Sequence, residues 1–151
     1  MELKDIMKYS VLAGGKRFRP ILTYTVASLY DSEITKVDSS ACAIELIHIY
    51  SLIHDDLPAM DDDDIRHSQP ANHKVFGEAQ AILAGDGLQA LAFKIISSDP
   101  LIEADTKIKL LELMAKSSYD MAEGQSIDLS VVSKKVDLNI LNKMHQKKTG
   151  A

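Results

Sequence analysis

ACAIELIHIYSLIHDDLPAMDDDD, residues Ala41–Asp64, joins an apolar segment of helical pattern, Ala41–Ile53, to a run in which six of the ten residues from Asp55 to Asp64 are aspartates. Carboxylates this close repel one another and raise one another's pKa, so holding them against a core makes sense mainly if cations neutralise them. The stretch therefore predicts a magnesium site at a helix end. The alternative is a solvated acidic loop, which most acidic runs are. No EF-hand spacing, with its glycine and terminal glutamate, is present.

Helical geometry sharpens the first reading. His48 and Asp55 are seven residues apart, so at about 100° per residue they fall within about 20° of one face, beside Glu45 and Leu52. A histidine on a helix descending to an acidic end can hydrogen-bond an anion held there, although a lone histidine is more often a satisfied core residue. Asp55 and Asp61 would lie about 120° apart on an undisturbed helix. Pro58 removes the bond to residue 54, which predicts a bulge that returns Asp61 toward Asp55.

Upstream, Gly14-Gly15-Lys16-Arg17-Phe18-Arg19-Pro20 sets three cations in four residues. The glycines free the backbone to turn, and Pro20 suits the first position of a helix, where a missing N–H costs nothing. Lys16, Arg17 and Arg19 then stand beside a helix start whose N–H groups favour phosphate. A basic turn serving only solubility is the plainer alternative. Magnesium bridging carboxylates to a diphosphate needs both parts.

Elsewhere the pattern is helical almost throughout. Leu3, Ile6, Met7, Ser10 and Val11 recur at helical spacing, and Pro20–Tyr30 carries Ile21, Leu22, Tyr24, Thr25 and Leu29. Asp38 is read as an N-cap for the segment ending near Asp56. Pro58–Lys74 reads as a charged loop and Val75–Ser98 as a helix, in which Gly85 and Gly87 must be favoured by close packing or ligand approach. Asp105-Thr106 opens a long helix, Ser130–Val136 a connector, and Asp137 caps a last helix. The β-branched run Ile127–Val132 is ambiguous. The expected fold is an all-α bundle, because each apolar helix must bury a stripe against another.

The 151 residues suit a single domain with one core. A formal net charge of −5 without a basic stripe argues against a nucleic-acid partner. Cys42, the sole cysteine, excludes an internal disulfide and reads as a small buried residue, not a nucleophile. Asp86 and His48 interrupt the longest apolar stretches, so no membrane span and no signal peptide are expected. A cytoplasmic protein is the expectation.

The ordered blocks GGKRFRP (Gly14–Pro20), HIYSLIHDDLPAMDDDDIRH (His48–His67), HKVFGEAQAILAGDGLQALAF (His73–Phe93), GQSIDL (Gly124–Leu129) and KKTGA (Lys147–Ala151) resemble those of bacterial trans-polyprenyl diphosphate synthases, most closely the farnesyl-forming branch. The resemblance implies an isoprenoid-synthase-like helical bundle and a prenyltransferase that condenses isopentenyl diphosphate with an allylic diphosphate, dimethylallyl or geranyl, to give farnesyl diphosphate. Its magnesium ligands would be Asp55 and Asp61, with Asp56 close by. Lys16, Arg19 and His48 would bind isopentenyl diphosphate. Arg66, Lys148 and Thr149 would touch the allylic diphosphate, as would Gln125 from its own helix. No catalytic nucleophile is implied. Tyr50, five places before the first aspartate, would limit product length with Ser51 beside it, and a homodimer is implied.

Two departures bear on these expectations. His67 stands where family members carry a second basic residue, so it is read as a pH-dependent contact to isopentenyl diphosphate. Residues 1–151 also hold only the first aspartate-rich motif, and so read as a single partial synthase domain without the second. A non-catalytic half-synthase or partner subunit, a geranylgeranyl diphosphate synthase, and a plain acidic metal-binding helical protein are the competing readings.

Overall fold

In the computed structural model, which describes residues 2–30 and 33–150, helices form nearly everything, as the apolar periodicity predicts. The chain divides into two compact units, Met1–Lys107 and Ile108–Ala151. The first carries helices α1 (Leu3–Val11), α2 (Phe18–Leu29), α3 (Asp38–Asp55), α4 (Asn72–Phe76) and α5 (Glu78–Ser98), together with a 3₁₀ turn at Ile34–Val37.

The core of this unit is the packing of α3 on α5. Helix α3 buries Ala41, Ala43, Glu45, Leu46, Ile49 and Ile53, and α5 buries Ala81, Ala84, Gly85, Leu88, Ala92 and Ile96. Positions 81, 85, 88, 92 and 96 are three or four residues apart, so they share one face, and the small Ala81, Ala84, Gly85 and Ala92 let another backbone approach closely. Both glycines of α5 have a packing reason. A Cβ at Gly85 would collide with the imidazole of His54, and one at Gly87 would stand 3.2 Å from the sulfur of Met7 on α1. By length and composition α5 could also cross a membrane, the one helix among the described residues that could. One third of that apolar stretch is buried in the fold, while Ile82 and Leu83 are exposed.

Four local expectations are corrected. Helix α2 begins at Phe18, so Pro20 is its third residue; there too the N–H has no intrahelical partner. Asp38 is the first residue of α3, with no capping bond, and its carboxylate accepts a hydrogen bond from Tyr24 at 2.8 Å. The Val75–Ser98 helix is two, split at Gly77 with φ 86°. Cys42 is exposed, between the buried Ala41 and Ala43. Desolvation, with Glu45 nearby, still raises its thiol pKa and leaves it a poor nucleophile at neutral pH.

The supposed loop Pro58–Lys74 also contains structure. Ile65–Arg66 (β1) and Gln69–Pro70 (β2) pair antiparallel, Ile65 opposite Pro70 and Arg66 opposite Gln69. The connecting His67 and Ser68 have φ of 49° and 64°, the left-handed pair that a two-residue hairpin turn requires. Tyr9 donates from its hydroxyl to the Pro70 carbonyl at 2.9 Å, and the Asn72 amide donates to the Ile6 carbonyl at 3.1 Å, fastening hairpin and α4 to α1. Not every apolar side chain finds a neighbour: α2 buries only Ala27, while Ile21, Leu22, Val26 and Leu29 stay exposed.

The second unit contains most of α6 (Ala104–Val131) and all of α7 (Leu138–Lys148). Helix α6 absorbs the ambiguous run as far as Val131, and Asp137 caps α7 as expected, accepting from the Asn139 N–H at 3.1 Å. The helices touch at Gly124, where a Cβ would run into the Lys148 backbone. Lys147 then reaches Asp120 and Glu123, each at 2.8 Å, and Lys148 reaches Asp128 at 2.6 Å. Lys116 and Lys147 hold the Asp120 carboxyl down at about 2.

Candidate functional site

The acidic end of α3 is built by helix termination. The Asp56 N–H still bonds the Leu52 carbonyl at 3.0 Å, but Leu57 bonds His54 in a tighter turn and α3 stops at Asp55. As the sequence predicts, the chain around Pro58 leaves the helix and returns toward Asp55. The Asp61 N–H then donates to the Asp55 carbonyl at 2.9 Å, so the two residues meet at the helix end. Hard carboxylate oxygens gathered in a loop of this kind suit magnesium. Among the described residues, the group whose metal-binding atoms all lie within 4.8 Å of one another is a neighbouring one, Asp62, Asp64 and buried His73, which was not singled out from the sequence. Lys74 engages one oxygen of Asp64 at 2.6 Å.

Asp56 takes a different role from Asp55. It is buried, and both its oxygens accept from the Arg66 guanidinium, Nε lying 2.9 and 3.2 Å away and Nη2 bonding as well. Arg66 Nη2 also reaches Asp63 at 2.9 Å. The guanidinium is thus tied to the acidic loop, and hydrogen bonding to Asp56 raises its already high pKa.

At the other end of the same face lies the cationic turn. Gly14 and Gly15 have φ of 97° and 103°, and Arg17, two residues beyond Gly15, is left-handed at φ 49°. For a residue with a Cβ that conformation costs about 1–2 kcal/mol. Two bonds offset it: Arg17 Nη1 meets Glu45 Oε1 at 2.8 Å, and Nη2 donates to the Val11 carbonyl. Lys16 and Arg19 remain exposed. His67, on the hairpin turn, lies against Gly15, where a Cβ would stand 3.3 Å from its ring.

His48 sits among these groups. Burial lowers its pKa first, then Arg19; Glu45 raises it, and His67 and Arg17 lower it. Arg19, His48 and His67, predicted to share one ligand, are therefore within electrostatic reach of one another. Lys16 is on the same turn.

Tyr50 is half-buried on α3, with its ring 5.1 Å from that of His54 in an edge-to-face contact. Burial raises its pKa, as do the charges of Asp86 on α5 and of Asp55. The Ser51 hydroxyl turns back to the His48 carbonyl at 2.8 Å. His54, absent from the sequence-based site, donates from Nε2 to the Ile82 carbonyl at 3.0 Å and fills the notch at Gly85. The Gly at 85 was the available signal.

The remaining predicted ligands belong to the second unit. Lys148 pairs with Asp128, Thr149 is exposed just beyond α7, and Gln125 is buried with neither amide atom hydrogen-bonded. Ala151, the last residue of the KKTGA block, lies outside the described residues.

The polyprenyl synthetase family model matches residues 1–151. Farnesyl diphosphate synthase of Haemophilus influenzae is 47% identical over 99% of this chain and 51% of its own. Geranylgeranyl pyrophosphate synthase 3 of Arabidopsis thaliana is 42% identical, with all of this chain and 44% of that one covered. Among solved structures, geranyltransferase from Legionella pneumophila superposes with a TM-score of 0.94 at 44% identity, over 98% of this chain and 54% of that one. The chain spans about half the length of the curated relatives it matches. These matches, over the whole of its own length, establish the all-α fold as part of that of the isoprenoid synthases: the chain belongs to the polyprenyl synthetase family.

Proposed function

We propose that this chain is part of a trans-prenyltransferase that condenses isopentenyl diphosphate with dimethylallyl or geranyl diphosphate to give farnesyl diphosphate. The observation that carries the reading is the pairing, along α3, of an acidic end closed by the Asp61–Asp55 backbone bond with a cationic group containing Arg19, His48 and His67. Residues 1–151 would form a single partial synthase domain, associating as a homodimer; the exposed apolar side chains of α2 supply surface for such an association.

Asp55 and Asp61 would hold magnesium, which supplies charge neutralisation for the departing diphosphate. The chain's own residues account for the rest. Lys16, Arg19, His48 and His67 grip isopentenyl diphosphate. Arg66, braced by Asp56, presents its remaining edge to the allylic diphosphate. Cleavage of the allylic carbon–oxygen bond leaves a carbocation, the double bond of isopentenyl diphosphate attacks it, and a proton leaves to restore an alkene. The cation must be kept from water for the condensation to compete with hydrolysis.

Calorimetric titration with isopentenyl diphosphate tests the reading. Neutral His48 has a folded pKa below its ordinary 6.5, so the unfolded chain takes the proton first and acid destabilises the empty fold below that value. A bound diphosphate reverses the sign, because its charge favours the imidazolium. Affinity should therefore rise as the pH falls from the His48 pKa of the complex toward the lowered pKa of the empty fold, with proton uptake visible as a buffer-dependent enthalpy that His48→Gln diminishes. No binding at any pH would sink the assignment.

Farnesyl and geranylgeranyl products are separated by Tyr50. At about 1.5 Å per residue it lies about 7.5 Å along α3 from Asp55, a depth the growing tail reaches. In the complete enzyme Tyr50→Ala should lengthen the product by at least one isoprene unit, read by chromatography. An unchanged distribution would remove Tyr50 from the role.

A further inference from the structure

Three cations within four residues at a phosphate-type turn invite the view that all three grip the ligand. Their geometry divides them. Lys16 and Arg19 are exposed, whereas Arg17 turns inward to Glu45 at 2.8 Å and to the Val11 carbonyl. Glu45 is 9% exposed, on the face of α3 that carries His48 one turn later. Arg17 is also the N-cap of α2 and the left-handed residue on which the turn pivots. One side chain thus links the end of α1, the turn and α3.

We propose that Glu45, acting through Arg17, is a positioning residue for the diphosphate site: the pair fixes the turn so that Lys16 and Arg19 stand over His48, and Arg17 is not itself a ligand. The inference rests on the reading of Lys16, Arg19 and His48 as diphosphate ligands. Its physical content is a sign. Glu45 is an anion close to an anion site, so by charge alone its neutralisation should tighten diphosphate binding. If its work is to hold Arg17, neutralisation releases the turn and binding weakens, because misplaced donors lose much of their hydrogen-bond energy.

Isopentenyl diphosphate is titrated calorimetrically into the parent chain, Glu45→Gln, Arg17→Gln and the double variant, with magnesium affinity at the aspartate loop measured on each. The expected result is roughly tenfold weaker diphosphate binding in either single variant and no further loss in the double, as coupled residues behave. Magnesium affinity should stay at the parent value. Tighter or unchanged binding in Glu45→Gln overturns the proposal, as does a full additional loss in the Arg17→Gln background. A parallel loss of magnesium binding overturns it too, since it marks a general structural role. A parent chain that binds no diphosphate overturns both this inference and the functional reading, whereas a binding parent with an indifferent Glu45→Gln overturns this inference alone.

Discussion

A chain carrying both Asp55→Ala and Asp61→Ala is expected to lose at least about 100-fold in magnesium-dependent binding of a bisphosphonate, which corresponds to about 2.7 kcal/mol. The cause is charge: the diphosphate binds strongly only when cations held by these carboxylates offset its own negative charge. The backbone bond from Asp61 to Asp55 does not involve the side chains, so the loop can keep its path in the variant. Calorimetry checks the loss, and helical circular dichroism checks the fold. The decisive comparison is a second variant, Asp62→Ala with Asp64→Ala, which removes the carboxylates of the group containing His73. If that variant loses binding and the first does not, magnesium is held by the other group.

Asp56→Ala should instead act on stability. Asp56 is 2% exposed and binds Arg66 through both oxygens, so truncation strands a guanidinium whose remaining carboxylate partner is Asp63. Breaking a fully buried pair costs about 3–5 kcal/mol; because one third of the Arg66 side chain meets solvent, about 2–3 kcal/mol is expected here. Hydrogen exchange of the α3 and α5 amides should report the loss. Asp56→Asn, which keeps one acceptor, should lose less, and equal protection in parent and Asp56→Ala would show that the ion pair contributes nothing. The same change should loosen the hairpin that carries Arg66 and His67, and so weaken anion binding secondarily.

These two aspartates are adjacent in sequence and alike in composition, yet one is read as a metal ligand and the other anchors an arginine. That difference marks the limit of what residue spacing can tell. Helical periodicity reflects which side chains can share a face, and it located α1, α3, α5 and most of α6 to within a few residues. Asp137 and the glycine pair at 14–15 act through local backbone chemistry, which spacing also exposes. The hairpin at Ile65–Pro70 escaped notice because its turn, His67-Ser68, uses left-handed residues without glycine or asparagine, held by contacts with α1. Pro58 was recognised as a disruption that returns Asp61 toward Asp55, but the partners of the individual aspartate side chains depend on what the later residues bring near.

By itself the sequence determined the all-α class, the acidic helix end, the cationic turn and the family, since these follow from short-range periodicity and from blocks of residues that need no partner to be recognised. Only the tertiary structure decided that Arg17 faces Glu45, that Arg66 is held by Asp56, that Gly85 makes room for His54 and that the apolar side chains of α2 remain exposed. Each of these depends on which distant group comes within about 3–4 Å, and that is set by how helices pack, not by any property of one segment.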